Sequence, residues 1–289
     1  MNGAQANTQY SGHSDFRNPN YLPPEKGGPL QDATLAGHMV MANGRAELMA
    51  MVRHQLFKGA TQIKVASSGG VTSLTDPLYV IEFTEDEMRG AVEAAAGFGT
   101  YGLTHVYNAE AIKRALNAGD KSIEHGMLID EAAMELLVSK DAFLSPRAYA
   151  AEAMAQVETD PIQAAKLQQA AAGLDNELTL AKKYGAKVLV GTDLTFDVSM
   201  RKKALQELPS RKPWFTSAEI MVQATGNGGA MLATSRRGYD GKLGVVEEGA
   251  FADLLIYSKS PLEDVAIAAD HESNLKLVIK DGVIYKNTL

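Results

Sequence analysis

The sequence contains no cysteine among its 289 residues. That excludes disulfides, thiolate metal sites and a cysteine nucleophile, and it fits a reducing compartment such as the cytoplasm. No apolar run approaches the ~20 residues of a membrane span. The first residues, MNGAQANTQYSGHSDF, have neither a basic start nor an apolar stretch, so they do not read as a signal peptide. Positive charge is not in excess. A net charge of −7 argues against a nucleic-acid or anionic-membrane surface. A G-x-S-x-G elbow is also missing, and no Gly-Lys-Ser/Thr follows Ser67-Ser68-Gly69-Gly70. Neither a serine hydrolase of that type nor a phosphate loop is indicated. The 45% hydrophobic content is enough for a sizeable core.

Three regions differ in pattern. Residues 1–40 are rich in Gly, Pro, Asn and Ser and read as irregular chain. Residues 41–243 alternate between helix and strand signals. Leu48, Met51, Val52 and Leu56 recur at helical spacing before Gly59. Thr84 with Glu87, and Thr216 with Glu219, form capping boxes that open two further helices. Between the helices lie five strand-like runs, Gln62–Ala66, Tyr101–Val106, Lys121–Gly126, the segment AFLSP, and Ala186–Asp193. Such alternation predicts a parallel sheet with crossover helices. Residues 244–289 switch to strand-like segments with turns at Glu248-Gly249 and Asp281-Gly282, a small β-unit.

One run is odd: GATQIKVASSGGV reads as a buried strand yet carries Lys64 near its centre. In a parallel α/β barrel the functional groups sit at the C-terminal ends of the strands. Those ends carry Lys64, His105, His125, Arg147 and Asp193. Two imidazoles and a carboxylate converging at one mouth suit zinc. Each also has a plainer role. A strand-end histidine can be a core residue, Asp193 can cap the next segment, and Lys64 can snorkel to solvent. Their joint occurrence at equivalent strand ends favours a shared site. His13, His38, His54 and His271 read as loop or helix-face residues, with His13 in reserve as a substitute ligand.

At these residues the sequence resembles a known family. QIKVASSGGV, LTHVYNAEAI, SIEHG, VLVGTD and GKLGVVEEGAFADLLIY are similar to successive motifs of the amidohydrolase superfamily. The branch is that of imidazolonepropionase-like and Xaa-Pro dipeptidase-like hydrolases. The resemblance implies an α/β fold, a (β/α)8 TIM barrel with a small C-terminal β-sandwich, and hydrolysis of amide or related ester and lactone bonds. It also implies one or two divalent metals, usually zinc. Lys64 would react with carbon dioxide to give a carbamate that bridges the metals, with His105 and His125 binding the second and Asp193 the first. An ammonium has no lone pair and cannot ligate a cation, so the carbamate is what makes Lys64 a ligand. Asp193 would also shuttle the proton of the attacking water. Tyr107 matches a substrate-contacting position, and Arg147 lies where it can meet a substrate carboxylate.

The sequence departs from the family in one respect: no His-x-His pair occurs in it. A barrel needs eight strands, and five are legible here. The expectation is therefore an incomplete barrel that associates as a homo-oligomer, since open edges invite pairing. N-acyl amino acids or dipeptides are the leading substrates. The alternative is a shortened, non-catalytic relative that needs a partner chain to complete its barrel.

Overall fold

Seven strands run parallel in one sheet in a computed structural model that describes residues 5–15, 39–73, 75–149, 160–193, 202–238 and 240–289. They are β1 (Ala6–Thr8), β2 (Met39–Met41), β3 (Ile63–Ala66), β4 (Gly102–Asn108), β5 (Ser122–Leu128), β6 (Phe143–Ser145) and β7 (Lys187–Val188). Their spatial order is β2-β1-β3-β4-β5-β6-β7, and β2 and β7 form open edges among the described residues. The fold is α/β, an incomplete barrel.

Between β2 and β3 runs α1 (Arg45–Phe57); α2 (Glu85–Gly97), α3 (Ala109–Ala118), α4 (Glu131–Ser139) and α5 (Pro161–Tyr184) join the later strands. The capping boxes at Thr84 and Thr216 both form as the sequence predicts. Side chains alternate across a strand, so Ile63, Val65, Val106, Ile123, Leu144 and Val188 enter the main core with the helices. The opposite face buries Tyr101, Phe143, Leu189 and Met231 in a second, smaller cluster. Among the described residues no helix is long and apolar enough to cross a membrane.

The expectation that residues 1–40 are irregular fails at β1, which lies between β2 and β3 and pairs with both. A three-residue strand of Ala6, Asn7 and Thr8 has no apolar period, so its pattern carries no strand signal. It is held by tertiary contacts instead. The Asn7 side-chain amide donates to the Lys64 carbonyl at 2.8 Å and accepts from Gln55 at 2.7 Å. The tail is a separate antiparallel sheet of β8 (Leu254–Tyr257), β9 (Leu275–Lys280) and β10 (Val283–Asn287), ordered β10-β9-β8. Its hairpin turns at Asp281 and Gly282, both at positive φ, as the Asp-Gly pair predicts.

Candidate active site

Register brings the site together. His105 of β4 lies opposite Ala66 of β3 and Glu124 of β5, while His125 lies opposite Val106. Val106 faces the helices, so regular alternation would send His125 there too. It does not go. The β4–β5 ladder shifts register beyond Val106, and His125 adopts φ 75°. An irregularity of this kind re-aims a side chain, and here it brings the His125 ring to 4.6 Å from that of His105, edge to face. Tyr107, two residues beyond His105, stacks on His125 at 5.1 Å.

Burial sets the protonation of both histidines. Desolvation, followed by the charges of neighbouring groups including Lys64 and Arg147, holds them well below the usual imidazole range. Both rings therefore favour the neutral form. His105 Nε2 and His125 Nδ1 are buried and have no hydrogen-bond partner among the described residues. Lys64 is half-buried on β3 beside them.

Arg147 is inside the site rather than in solvent. It is buried, and its guanidinium donates to Asp193 Oδ2 at 2.8 Å and to the Tyr107 hydroxyl at 2.9 Å. Burial opposes its charge, but Tyr107 and Asp193 hold its pKa above the usual value. Asp193, at φ 49°, sits at the end of the segment after β7. Tyr107, Arg147 and Asp193 lie toward or beyond the C-terminal ends of their strands and His105 and His125 at the middle of β4 and β5, whereas Lys64 is the second residue of β3, in register with Leu103 near the start of β4.

The structure adds residues that sequence reasoning set aside. His13, read as a loop residue with a structural role, stacks flat on His105, 3.9 Å between centroids and 3° between planes. The reason is β1: its pairing beside Lys64 delivers the following turn to the mouth. His13 Nδ1 lies 3.0 Å from Asp76 Oδ2 and 3.1 Å from Ser73 Oγ. Its backbone N–H donates to Glu82, whose carboxyl is pushed up to about 8 by burial and by Asp76 and Asp15. His54 is exposed on α1, and His271 belongs to the tail. His38 lies outside the described residues. No motif marks Asp76 or Glu82, which lie in the loop between β3 and α2.

These residues fit a divalent metal at one position. Two imidazoles, each with a buried nitrogen that has no partner among the described residues, stand beside a lysine. The fit goes no further. Among the described residues no three His, Cys, Asp or Glu side chains are placed to hold a metal ion.

Comparison with known proteins bears on the reading. Residues 30–285 match the amidohydrolase family. Ochratoxinase of Aspergillus niger is 30% identical over 254 residues, covering 87% of this chain and 52% of the relative. The chain spans about half the length of the curated relatives it matches. A crystal structure of an amidohydrolase superposes with a TM-score of 0.90 at 32% identity, over 99% of this chain and 69% of that one. A prolidase complexed with N-methylphosphonate-L-proline superposes with a TM-score of 0.87 at 31% identity, over 98% of this chain and 68% of that one.

Proposed function

The chain belongs to the amidohydrolase family, and from that premise we propose that it hydrolyses amide bonds in N-acyl amino acids or dipeptides with the help of bound zinc. Esters and lactones are secondary substrates of the same site. The observation that carries the reading is the His105–His125 pair, 4.6 Å apart and with one buried nitrogen on each ring that has no hydrogen-bond partner among the described residues. A likeness to a prolidase favours dipeptides within the substrate class.

His105, His125 and a carbamylated Lys64 would hold one cation, and Asp193 is the residue for a first one. The chemistry such a cation supplies is polarisation of a carbonyl and acidification of water. The chain's own residues do the rest. Arg147 fixes the Asp193 carboxylate through Oδ2, and the Asp193 carboxylate accepts the proton of the attacking water. Tyr107 and Arg147 line the substrate's place, where the guanidinium charge favours a carboxylate-bearing substrate. The cysteine-free sequence suits the cytoplasm, and the open sheet edges suit a homo-oligomer.

A second reading, a non-catalytic relative that needs a partner chain to complete its barrel, is favoured by the lack of three placed ligands among the described residues. One experiment separates the two. His105→Asn and His125→Asn should each lose zinc and dipeptide hydrolysis together. If the wild-type chain takes up no zinc, the non-catalytic reading stands.

A further inference from the structure

We propose that the buried ion pair of Arg211 and Glu207 is the positioning element for Arg147, and that through Arg147 it sets the preference for substrates with a free carboxylate. The inference rests on the reading of Arg147 given above.

The need for such an element starts at β6. The β6–β7 ladder pairs Phe143 with Lys187 and Leu144 with Val188, and the Leu189 N–H donates to the Leu144 carbonyl at 2.7 Å. Pro146 has no N–H and cannot extend a ladder as a donor. Arg147 lies two residues past the end of β6, on backbone that the ladder does not hold.

The ion pair holds it instead. Arg211 donates from Nη2 to the Pro146 carbonyl at 2.8 Å and from Nη1 to the Leu189 carbonyl at 2.7 Å. One planar guanidinium thus spans the continuations of both strands. Glu207 accepts from the backbone N–H of Ala148 at 2.9 Å and from that of Tyr149 at 2.8 Å. Helical backbone begins at residue 148, so these are N–H groups that no earlier turn can satisfy. The residues on both sides of Arg147 are therefore fixed by one pair. Its members are joined to each other through Arg211 Nε and Glu207 Oε1 at 2.9 Å, and Gln223 accepts from the guanidinium at 2.9 Å.

The pair serves geometry more than stability. Its side chains are 0% and 1% exposed, and at such depth the cost of desolvating two charges offsets most of their attraction. Apolar residues of similar volume would fill the space, but they could not make directional bonds to the backbone around Arg147. Arg147 itself is buried and reaches the Tyr107 hydroxyl at 2.9 Å. A backbone shift would move its guanidinium off that partner, and a bidentate hold on a carboxylate tolerates little displacement.

The test uses the zinc-loaded full chain and two substrates with the same scissile amide. One is an N-acyl amino acid, the other the same compound with its carboxylate blocked as the primary carboxamide. Glu207→Gln should raise KM for the free carboxylate about 10- to 100-fold, with kcat and the blocked substrate changed by less than about threefold. Removing the Glu207 charge would by itself favour an anionic substrate, so a raised KM reports position and not field. Glu207→Asp keeps the charge but draws it back by one methylene, and it should repeat the pattern more weakly. Arg147→Gln should show the same selective loss, and Glu207→Gln should add little to it, because both act on one contact. Equal losses on both substrates, or losses that add in the double variant, overturn the proposal and leave the hydrolase reading intact. No turnover of either substrate by the wild type overturns that reading instead.

NMR of ¹⁵N-labelled arginine gives an answer independent of activity. Rotation of the Arg147 guanidinium should be slow in the wild type and faster in Glu207→Gln, or in Glu207→Asp if the first variant fails to fold. An Arg147 signal that the substitution leaves unchanged overturns the proposal.

Discussion

Arg147 and Asp193 form an ion pair at 2.8 Å in which the arginine side chain is 6% exposed and the aspartate 38%. The same guanidinium reaches the Tyr107 hydroxyl at 2.9 Å, so one cation positions two of the groups assigned to chemistry and substrate. Asp193→Asn keeps the shape of the side chain but removes the basic oxygen. Its kcat should fall on the order of 10²–10⁴-fold, with zinc at His105 and His125 retained. Measuring kcat and zinc on one preparation decides it. Unchanged turnover would make Asp193 a turn residue only.

Gly70 is a steric requirement of the site. A Cβ there would lie 2.2 Å from His13 ring atoms and 2.9 Å from His105 Nε2. Gly70→Ala should therefore displace the two stacked rings, the atoms that its Cβ would meet first. A misplacement of about 1 Å can cost roughly 10²-fold in rate. The expected result is a loss of that order in kcat/KM. A fully active Gly70→Ala would show that the His13–His105 stack is not needed.

Asp120 gives a prediction outside the site. Both of its carboxylate oxygens are buried with no partner among the described residues, and burial pushes its pKa up to about 7 from 3.8. The folded state thus binds its proton more tightly than the unfolded one. The stabilisation is full below about 3.8 and is lost as pH rises through about 7. Asp120→Asn should raise Tm by a few degrees at pH 8 and by less at pH 5. Thermal scans of both proteins at the two values test this, and equal shifts would contradict it.

Local signals made much of the fold legible. Thr84 with Glu87 and Thr216 with Glu219 specify helix starts within four residues, and both caps form. His105 was legible because it stands among the apolar residues Leu103, Val106 and Tyr107 of β4. The sequence also singles out His125, but its arrival beside His105 depends on a register shift and a positive φ that no alternation rule contains. His13 follows a strand with no apolar period, and Ser73 and Asp76, which its ring meets, lie 60 and 63 positions away, so spacing alone does not place it beside His105. Asp76 and Glu82 lie in a loop whose order comes from tertiary hydrogen bonds, a level that spacing does not reach.

The small tail sheet should take part in assembly. Leu255, Val283, Ile284 and Tyr285 are 54%, 57%, 58% and 70% exposed, and clustered apolar exposure of this kind marks interaction surfaces. With the open edges at β2 and β7, it predicts a homo-oligomer whose Tm rises with protein concentration. Sedimentation velocity across a dilution series is the check. A monomer at every concentration would contradict it.

The central claim is metal-assisted amide hydrolysis at His105, His125 and Lys64. The most direct measurement is dipeptide turnover by one preparation, assayed as zinc-loaded, as chelator-stripped and as zinc-restored protein, with zinc counted at each stage. The account predicts about one or more zinc ions per chain, turnover that vanishes on stripping and returns on restoration, and none of this in Lys64→Ala except where a short carboxylic acid replaces the missing oxygens. Turnover that survives stripping, or a Lys64→Ala protein that keeps its full zinc and rate, would contradict it.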